Sequence, residues 1–150
     1  MKQRVRAILI TAARQLLTIR RERLGEPAYW VLPGGGVEPT DTDLEAALDR
    51  ELREELGGAA TIDSQILTLD HGTDREYFYL GRIDAWNEHD RTGPEFDDPT
   101  RGTYILDLVP LTTAGLDSIS LKPDQVAELL RRHVAAGTPL FELPDLRRRR

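Results

Sequence analysis

Apolar positions along this chain fall into short blocks at first and then into a helical period. Residues 5–10 read as a buried strand and residues 15–20 as its partner, with a short turn between them. Residues 21–27 are charged and carry the breakers Gly25 and Pro27, so they predict a loop. Residues 29–32 predict a short strand that Pro33 and three glycines stop, and a brief strand around Val37 is expected to follow. Leu44, Leu48, Leu52 and Leu56 then recur every fourth residue with Ala47 beside them, the apolar stripe of a helix over residues 43–56. Thr40 or Thr42 is expected to cap its start, and Gly57 and Gly58 to end it.

Beyond the helix, residues 61–69 and 76–85 predict a strand pair around the turn His71-Gly72-Thr73-Asp74. The second strand alternates, with Tyr77 and Tyr79 on one face and Phe78 and Leu80 on the other. Residues 87–102 are polar and long for a loop in a compact domain, a length that often carries function. Residues 103–109 read as a further strand, 111–116 as a helical turn, and 123–136 as an amphipathic helix with Gly137 past its end. Strands first, one helix in the middle and one near the end predict an α/β fold, a mixed β-sheet covered by helices.

Composition narrows the class. At 150 residues, 39% hydrophobic and 31% charged, the chain suits one domain with its own core. A net charge of -6 disfavours nucleic acid as a partner. The arginine run at 147–150 is the exception, and it reads as a solvated basic tail after a single domain at 1–146. Without cysteine there is neither a disulfide nor a thiolate metal site, which fits a reducing cytoplasm. No apolar run approaches the roughly 18–20 residues of a membrane span, and the apolar stretch after the basic start is too brief for a signal peptide. His71, His89 and His133 show no paired metal-ligand spacing and read as ordinary surface or turn residues.

The chemistry concentrates at residues 32–58. Glu51, Glu54 and Glu55 are three and four apart, so they share one arc of the helix. Like charges at that spacing repel by a few tenths of a kcal/mol per pair, and the helix C-terminus disfavours anions. A divalent cation or flanking arginines would offset this, and the glycine run just upstream points to a site rather than to a solvated helix face.

The run Arg50-Glu51-Leu52-Arg53-Glu54-Glu55-Leu56-Gly57, with Gly35 and Asp41 before it, resembles the Nudix hydrolase signature. That signature is Gly, five residues, Glu, seven residues, then Arg-Glu-aliphatic-any-Glu-Glu-any-Gly-aliphatic. Asp41 stands where the family has Glu, eight residues rather than seven separate it from Arg50, and Gly58 replaces an aliphatic residue. The resemblance implies an α/β/α sandwich with the box helix packed beside a mixed sheet. It implies Mg²⁺, or Mn²⁺ in its place, held by Glu51, Glu54, Glu55 and the backbone carbonyl of Gly34, with Arg50 orienting the carboxylates. The catalytic base varies in the family, and here Glu54 or Glu95 is expected, with Asp97 and Asp98 behind Glu95.

The implied reaction is hydrolysis of a pyrophosphate bond in a nucleoside diphosphate linked to another moiety, by water attack at phosphorus. Arg20, Arg21 and Arg23 are candidates for a substrate phosphate, against the alternative of a solvated loop. Tyr77 and Tyr79 are candidates for base stacking, against the alternative of core packing, and Trp86 for the pocket rim. The implied partner is a small-molecule nucleotide or nucleoside diphosphate derivative, and a homodimer through residues 87–102 is compatible. Two other classes are carried along: a nucleotide-sensing or partner-binding domain of weak activity, and an RNA cap pyrophosphohydrolase that uses residues 147–150.

Overall fold

The computed structural model describes residues 2–92 and 102–148. Strand β1 (Lys2–Ile10) turns into β2 (Gln15–Glu22), and the two are registered at Ile10 and Leu16. Further back they separate. One edge of β1 runs parallel to β6 (Asp74–Arg82) for its whole length. Its other edge takes β4 (Gly34–Gly36) at Arg4, Val5 and Arg6. Strand β2 instead pairs with β3 (Tyr29–Val31) and β7 (Thr103–Pro110). The glycine run therefore lies where the two strands of the first hairpin splay apart.

Among the described residues the sheet has eight strands, ordered β5-β6-β1-β2-β3-β8 with β4 against β1 and β7 against β2. β5 (Thr61–His71) is antiparallel to β6, while the short β8 (Leu121–Lys122) runs parallel to β3. Parallel and antiparallel pairs make a mixed, curled sheet, and it separates two cores. On one face α1 (Leu44–Leu56) buries Ala47, Leu48, Leu52 and Leu56 against Val5, Ala7, Leu9, Leu17 and Tyr79. On the other, α3 (Asp124–Ala136) buries Val126, Ala127 and Leu130 against Ile8, Ile10, Leu16, Phe78 and Leu80. Alternate residues of β1 and β6 face opposite cores because a strand's side chains alternate. A short α2 (Thr113–Asp117) joins β7 to β8.

Tertiary pairing moves several expected boundaries. Arg21 and Glu22 belong to β2 rather than to a loop, because Tyr104 and Thr103 of β7 pair with them. The strand expected around Val37 is formed by the glycines instead, because the backbone of β1 is available beside them. Asp43, not Thr40 or Thr42, caps α1: its carboxylate accepts the Ala46 N–H at 2.7 Å.

The tail also differs from expectation at its start. Leu146–Arg148 forms a 3₁₀ turn, and Arg147 donates to the Asp145 carboxylate at 2.8 Å and to the Asp63 carbonyl at 2.8 Å, and pairs with Glu45. Those acidic and carbonyl oxygens come from several elements, so Arg147 is tied to the body of the domain while remaining exposed. The Arg147 guanidinium holds the Asp145 carboxyl well below the usual carboxylate range.

Leu52 is buried between α1 and the sheet at 2% exposure. Leu52→Ala is expected to destabilise the fold by about 2–5 kcal/mol. Urea denaturation of the two proteins, with unchanged slope, measures it.

Candidate active site

α1 lays its acidic arc against a strand that has no side chains. A Cβ added at Gly35 would stand 2.6 Å from the Glu51 carboxylate, so any side chain there would displace it. Gly34 has φ +146°, and a Cβ there would meet the Val5 carbonyl at 2.0 Å. Its N–H donates to Glu55 Oε1 at 2.6 Å, and the Glu55 side chain is buried in this contact. The glycines thus let backbone reach the carboxylates directly.

Arg50 organises the rest of the arc. Its Nε and Nη2 donate to the two oxygens of Asp41 at 3.0 and 2.9 Å, a bidentate pair. Nη2 also donates to the Gly36 carbonyl at 3.1 Å, while Nη1 reaches Glu51 at 3.1 Å and Glu54 at 3.5 Å. Asp41 is fixed in turn by the Glu38 N–H at 2.8 Å. The Arg50 hydrogen bonds, and then the Glu38 N–H, hold the Asp41 carboxyl below its ordinary pKa. The longer spacing between Asp41 and Arg50 is absorbed by the turn, and the shorter aspartate still reaches the guanidinium.

The C-terminal end of α1 has its own cation. Arg91 donates to the Glu55 carbonyl at 2.7 Å and to the Tyr104 carbonyl at 2.9 Å, and the Thr92 N–H donates to the Glu54 carbonyl at 2.9 Å. The helix carbonyls and macrodipole that made three glutamates costly here meet a positive group. Of the two remedies open from sequence, arginines supply the one visible in the geometry. Among the described residues, no three acidic or histidine side chains converge on one point. The donor atoms are still of the kind a hard divalent cation takes, because Glu51, Glu55 and Gly34 line one cavity, Glu54 adjoins them on α1, and all offer oxygen.

That cavity, of about 390 Å³, is lined by Gly34, Gly35, Gly36, Glu51 and Glu55 on one side and by Arg4, Arg6, Arg21, Tyr29 and Tyr104 around it. Arg21 lies between two cross-strand neighbours, its guanidinium 3.8 Å from the Tyr104 ring centre and 5.9 Å from that of Tyr29. The sequence-derived candidates divide accordingly. Arg21 lines the cavity with Glu51, Glu55 and Gly34. Adjacent Arg20 points to the other sheet face, stacks on Trp30 at 5.6 Å and pairs with Glu22 at 3.4 Å.

Tyr79 is corrected to a core residue: it is 1% exposed and its hydroxyl accepts from Gln65 Nε2 at 3.0 Å. Burial raises its pKa. Tyr77 packs beside the same core and accepts from Gln3 at 3.3 Å, so neither tyrosine borders the cavity. Trp86 packs against the core beneath α1 instead of rimming the pocket. Glu95, Asp97 and Asp98 lie outside the described residues. The aromatic lining comes from Tyr29 and Tyr104, which strand pairing brings beside Arg21 from opposite sides. Nothing in the local sequence marks them, whereas the alternation Lys2, Arg4, Arg6 was visible as a charged face on a strand otherwise apolar.

An acidic helix thus lies against a glycine strand, and arginines of the curled α/β sheet line the same cavity. The model of the NUDIX domain matches residues 1–127. The chain belongs to the Nudix family. The family generally uses a divalent metal and acts on nucleotide derivatives such as nucleoside triphosphates and ADP-ribose.

The nucleoside triphosphatase NudI proteins of Enterobacter sp. (strain 638) and Klebsiella pneumoniae (strain 342) are each 61% identical over 31 residues. The match spans 21% of this chain and 21% of theirs, so it covers about a fifth of the curated relatives. Among solved structures, a MutT structure (Aliivibrio salmonicida and Vibrio cholerae) is 21% identical, covers 87% of this chain and 96% of that one, and has a TM-score of 0.65. An ADP-ribose pyrophosphatase from Streptococcus suis 89-1591 is 19% identical over 96% of each chain, with a TM-score of 0.63. At those identities the likeness is one of fold. None of the described helices is long and apolar enough to cross a membrane.

Asp41 couples the loop to the helix. Because its folded pKa is depressed, the pair contributes stability above the unfolded aspartate value of about 3.9 and loses it as pH falls through the lower folded value. Asp41→Asn is therefore expected to lower the urea midpoint at pH 7, with the gap to wild type closing below about pH 4. Its activity should fall about 10–100-fold, as when a group that orients the ligands is lost.

Proposed function

We propose that this protein hydrolyses a pyrophosphate bond in a nucleoside diphosphate linked to a further moiety, with Mg²⁺ as the working metal. The observation that carries this reading is that Glu51 and Glu55 line one cavity with the Gly34 backbone and Arg21, while Arg50 ties Glu54 to Glu51 beside it. Glu51, Glu54, Glu55 and the Gly34 carbonyl would hold the ion, which supplies charge neutralisation for the phosphates and polarises a phosphoryl oxygen. Arg50, anchored by Asp41, holds Glu51 and Glu54 on the same arc, and the carboxylates would have to converge further to serve as ligands.

Glu54 is the base in this reading. It takes a proton from the water whose oxygen forms the new bond to phosphorus, as the bridging P–O bond breaks and the leaving phosphate departs. Glu95 was the rival candidate and falls to the same test. Arg21 pairs with a phosphate oxygen, and Tyr29 and Tyr104 offer ring faces to the nucleoside. The buried Glu55 is a holding rather than a proton-transferring group, because its carboxylate is already engaged by Gly34.

The experiment is a panel of nucleoside triphosphates, ADP-ribose, dinucleoside polyphosphates and capped RNA, each with Mg²⁺ or Mn²⁺. Turnover of at least one is expected, and Glu55→Gln should lower kcat about a hundredfold or more with the protein still folded. Glu54→Gln should remove the acidic limb of the pH–rate profile, whereas Glu95→Gln should leave that limb in place. No turnover of any substrate, or full activity in Glu55→Gln, would sink the reading. Tyr104→Ala is expected to raise KM about tenfold with kcat little changed, which initial-rate kinetics on the best substrate would measure.

A further inference from the structure

Glu76 is a buried carboxylate that the reaction above does not use: it is 7% exposed, on β6. Alternation puts it on the side of Phe78 and Leu80, and Arg6 of β1 on the side of Ile8 and Ile10. Arg6 Nε donates to Glu76 Oε2 at 2.9 Å, and His71 Nε2 lies 3.1 Å from the other oxygen, Oε1. Both carboxylate oxygens are thereby engaged. A buried ion pair is often no more stabilising than a well-packed apolar pair, and two residues along each strand the same face is apolar. Stability alone leaves the pair unexplained.

What the pair holds is backbone. Arg6 Nη1 donates to the Leu32 and Gly34 carbonyls at 3.1 and 3.2 Å, one on either side of Pro33. The Pro33 carbonyl accepts the Ala7 N–H at 2.9 Å, so β1 fixes three consecutive carbonyls at the entry to β4. Gly34 has φ +146°, and a glycine turns readily unless something holds it. Its N–H donates to Glu55 Oε1 at 2.6 Å. Rotation at Gly34 changes where its carbonyl points relative to that N–H. A chain of contacts therefore runs from β6 through β1 and the glycine strand to α1.

We propose that Glu76 is a positioning residue for the active site: it sets the Arg6 guanidinium, and Arg6 sets the Gly34 backbone against Glu55. This rests on the hydrolase reading above, in which the Gly34 carbonyl and Glu55 are donors to the metal. Without the Glu76 carboxylate, Arg6 turns into the cavity it lines and the Gly34 carbonyl loses its anchor.

The test compares full-length wild type with Glu76→Leu, which continues the apolar face and removes both contacts. In metal-free protein, NMR hydrogen exchange at the Gly34 amide should speed up about tenfold or more, while that at Leu130 in α3 stays within about twofold. Mn²⁺ affinity, measured by calorimetry, should fall about tenfold. On a substrate that wild type hydrolyses, kcat should fall about tenfold with KM little changed. Glu76→Gln keeps an oxygen for Arg6 and should recover part of each loss. Arg6→Leu tests the link from its other end and should show the same losses even if Glu76→Leu does not fold. In the double variant the losses should match those of Arg6→Leu alone to within about twofold, because one residue acts through the other. Asp70→Asn, which breaks an exposed ion pair with Arg75 on the same hairpin, should behave as wild type.

Unchanged Gly34 exchange and Mn²⁺ affinity in Glu76→Leu would overturn the assignment. So would equal acceleration at Leu130, losses that add in the double variant, or the same losses in Asp70→Asn. If Gly34 exchange and Mn²⁺ affinity depend on Glu76 through Arg6 but wild type turns over no pyrophosphate compound, the positioning stands and the hydrolase reading falls. If wild type hydrolyses a substrate and Glu76→Leu matches it in every measurement, the reverse holds.

Discussion

The acidic arc of α1 can face the sheet only because the strand it meets has no side chains. Gly34 brings an N–H to 2.6 Å from the Glu55 carboxylate, and Gly35 leaves room for that of Glu51. With any other residue the helix would have to stand off, and the leucine stripe on its other side would lose its seat on β1 and β2. Packing and chemistry thus share one constraint, since the close approach that seats the helix also sets carboxylates beside a backbone carbonyl. Arg50 then holds this arrangement from the loop side, through a bidentate contact to Asp41 and a bond to the Gly36 carbonyl.

The cavity follows from topology. β1 and β2 begin as a hairpin and then take different partners, and β4 enters the gap on the β1 side. Backbone groups and alternate side chains of five strands are thereby turned toward one volume. That is how arginines from β1 and β2, tyrosines from β3 and β7 and carboxylates from α1 come to line it together. Arg4, Arg6 and Arg21 line the cavity together with the carboxylates, so a polyanion meets positive groups there before any metal is considered.

Much of this was legible in the chain. The leucine repeat located α1, and the spacing of Glu51, Glu54 and Glu55 located the acidic arc, because both follow from the 3.6-residue period. The alternation in β6 separated Tyr77 and Tyr79 from Phe78 and Leu80 correctly, but it did not say what covers each face. Tyr79 therefore looked available for stacking although α1 and β5 enclose it. The charged end of β2 looked like a loop because a local reading has no access to β7, more than eighty residues later. The partners of Arg147 were hidden for the same reason, since Glu45 and Asp63 reach it from elsewhere in the chain.

By itself, then, the sequence determined the local objects: an amphipathic acidic helix, a glycine run before it, and the family signature that joins them. Period and spacing are properties of a few consecutive residues, and they survive without knowledge of neighbours. Only the tertiary structure decided which arginine and which aromatics face the carboxylates. That depends on strand partners and on which way each strand's alternation points. It also decided that Asp41, shorter than the expected glutamate and one residue further away, still closes on Arg50 at 2.9 Å. The turn's backbone makes up the difference, and no motif spacing records that.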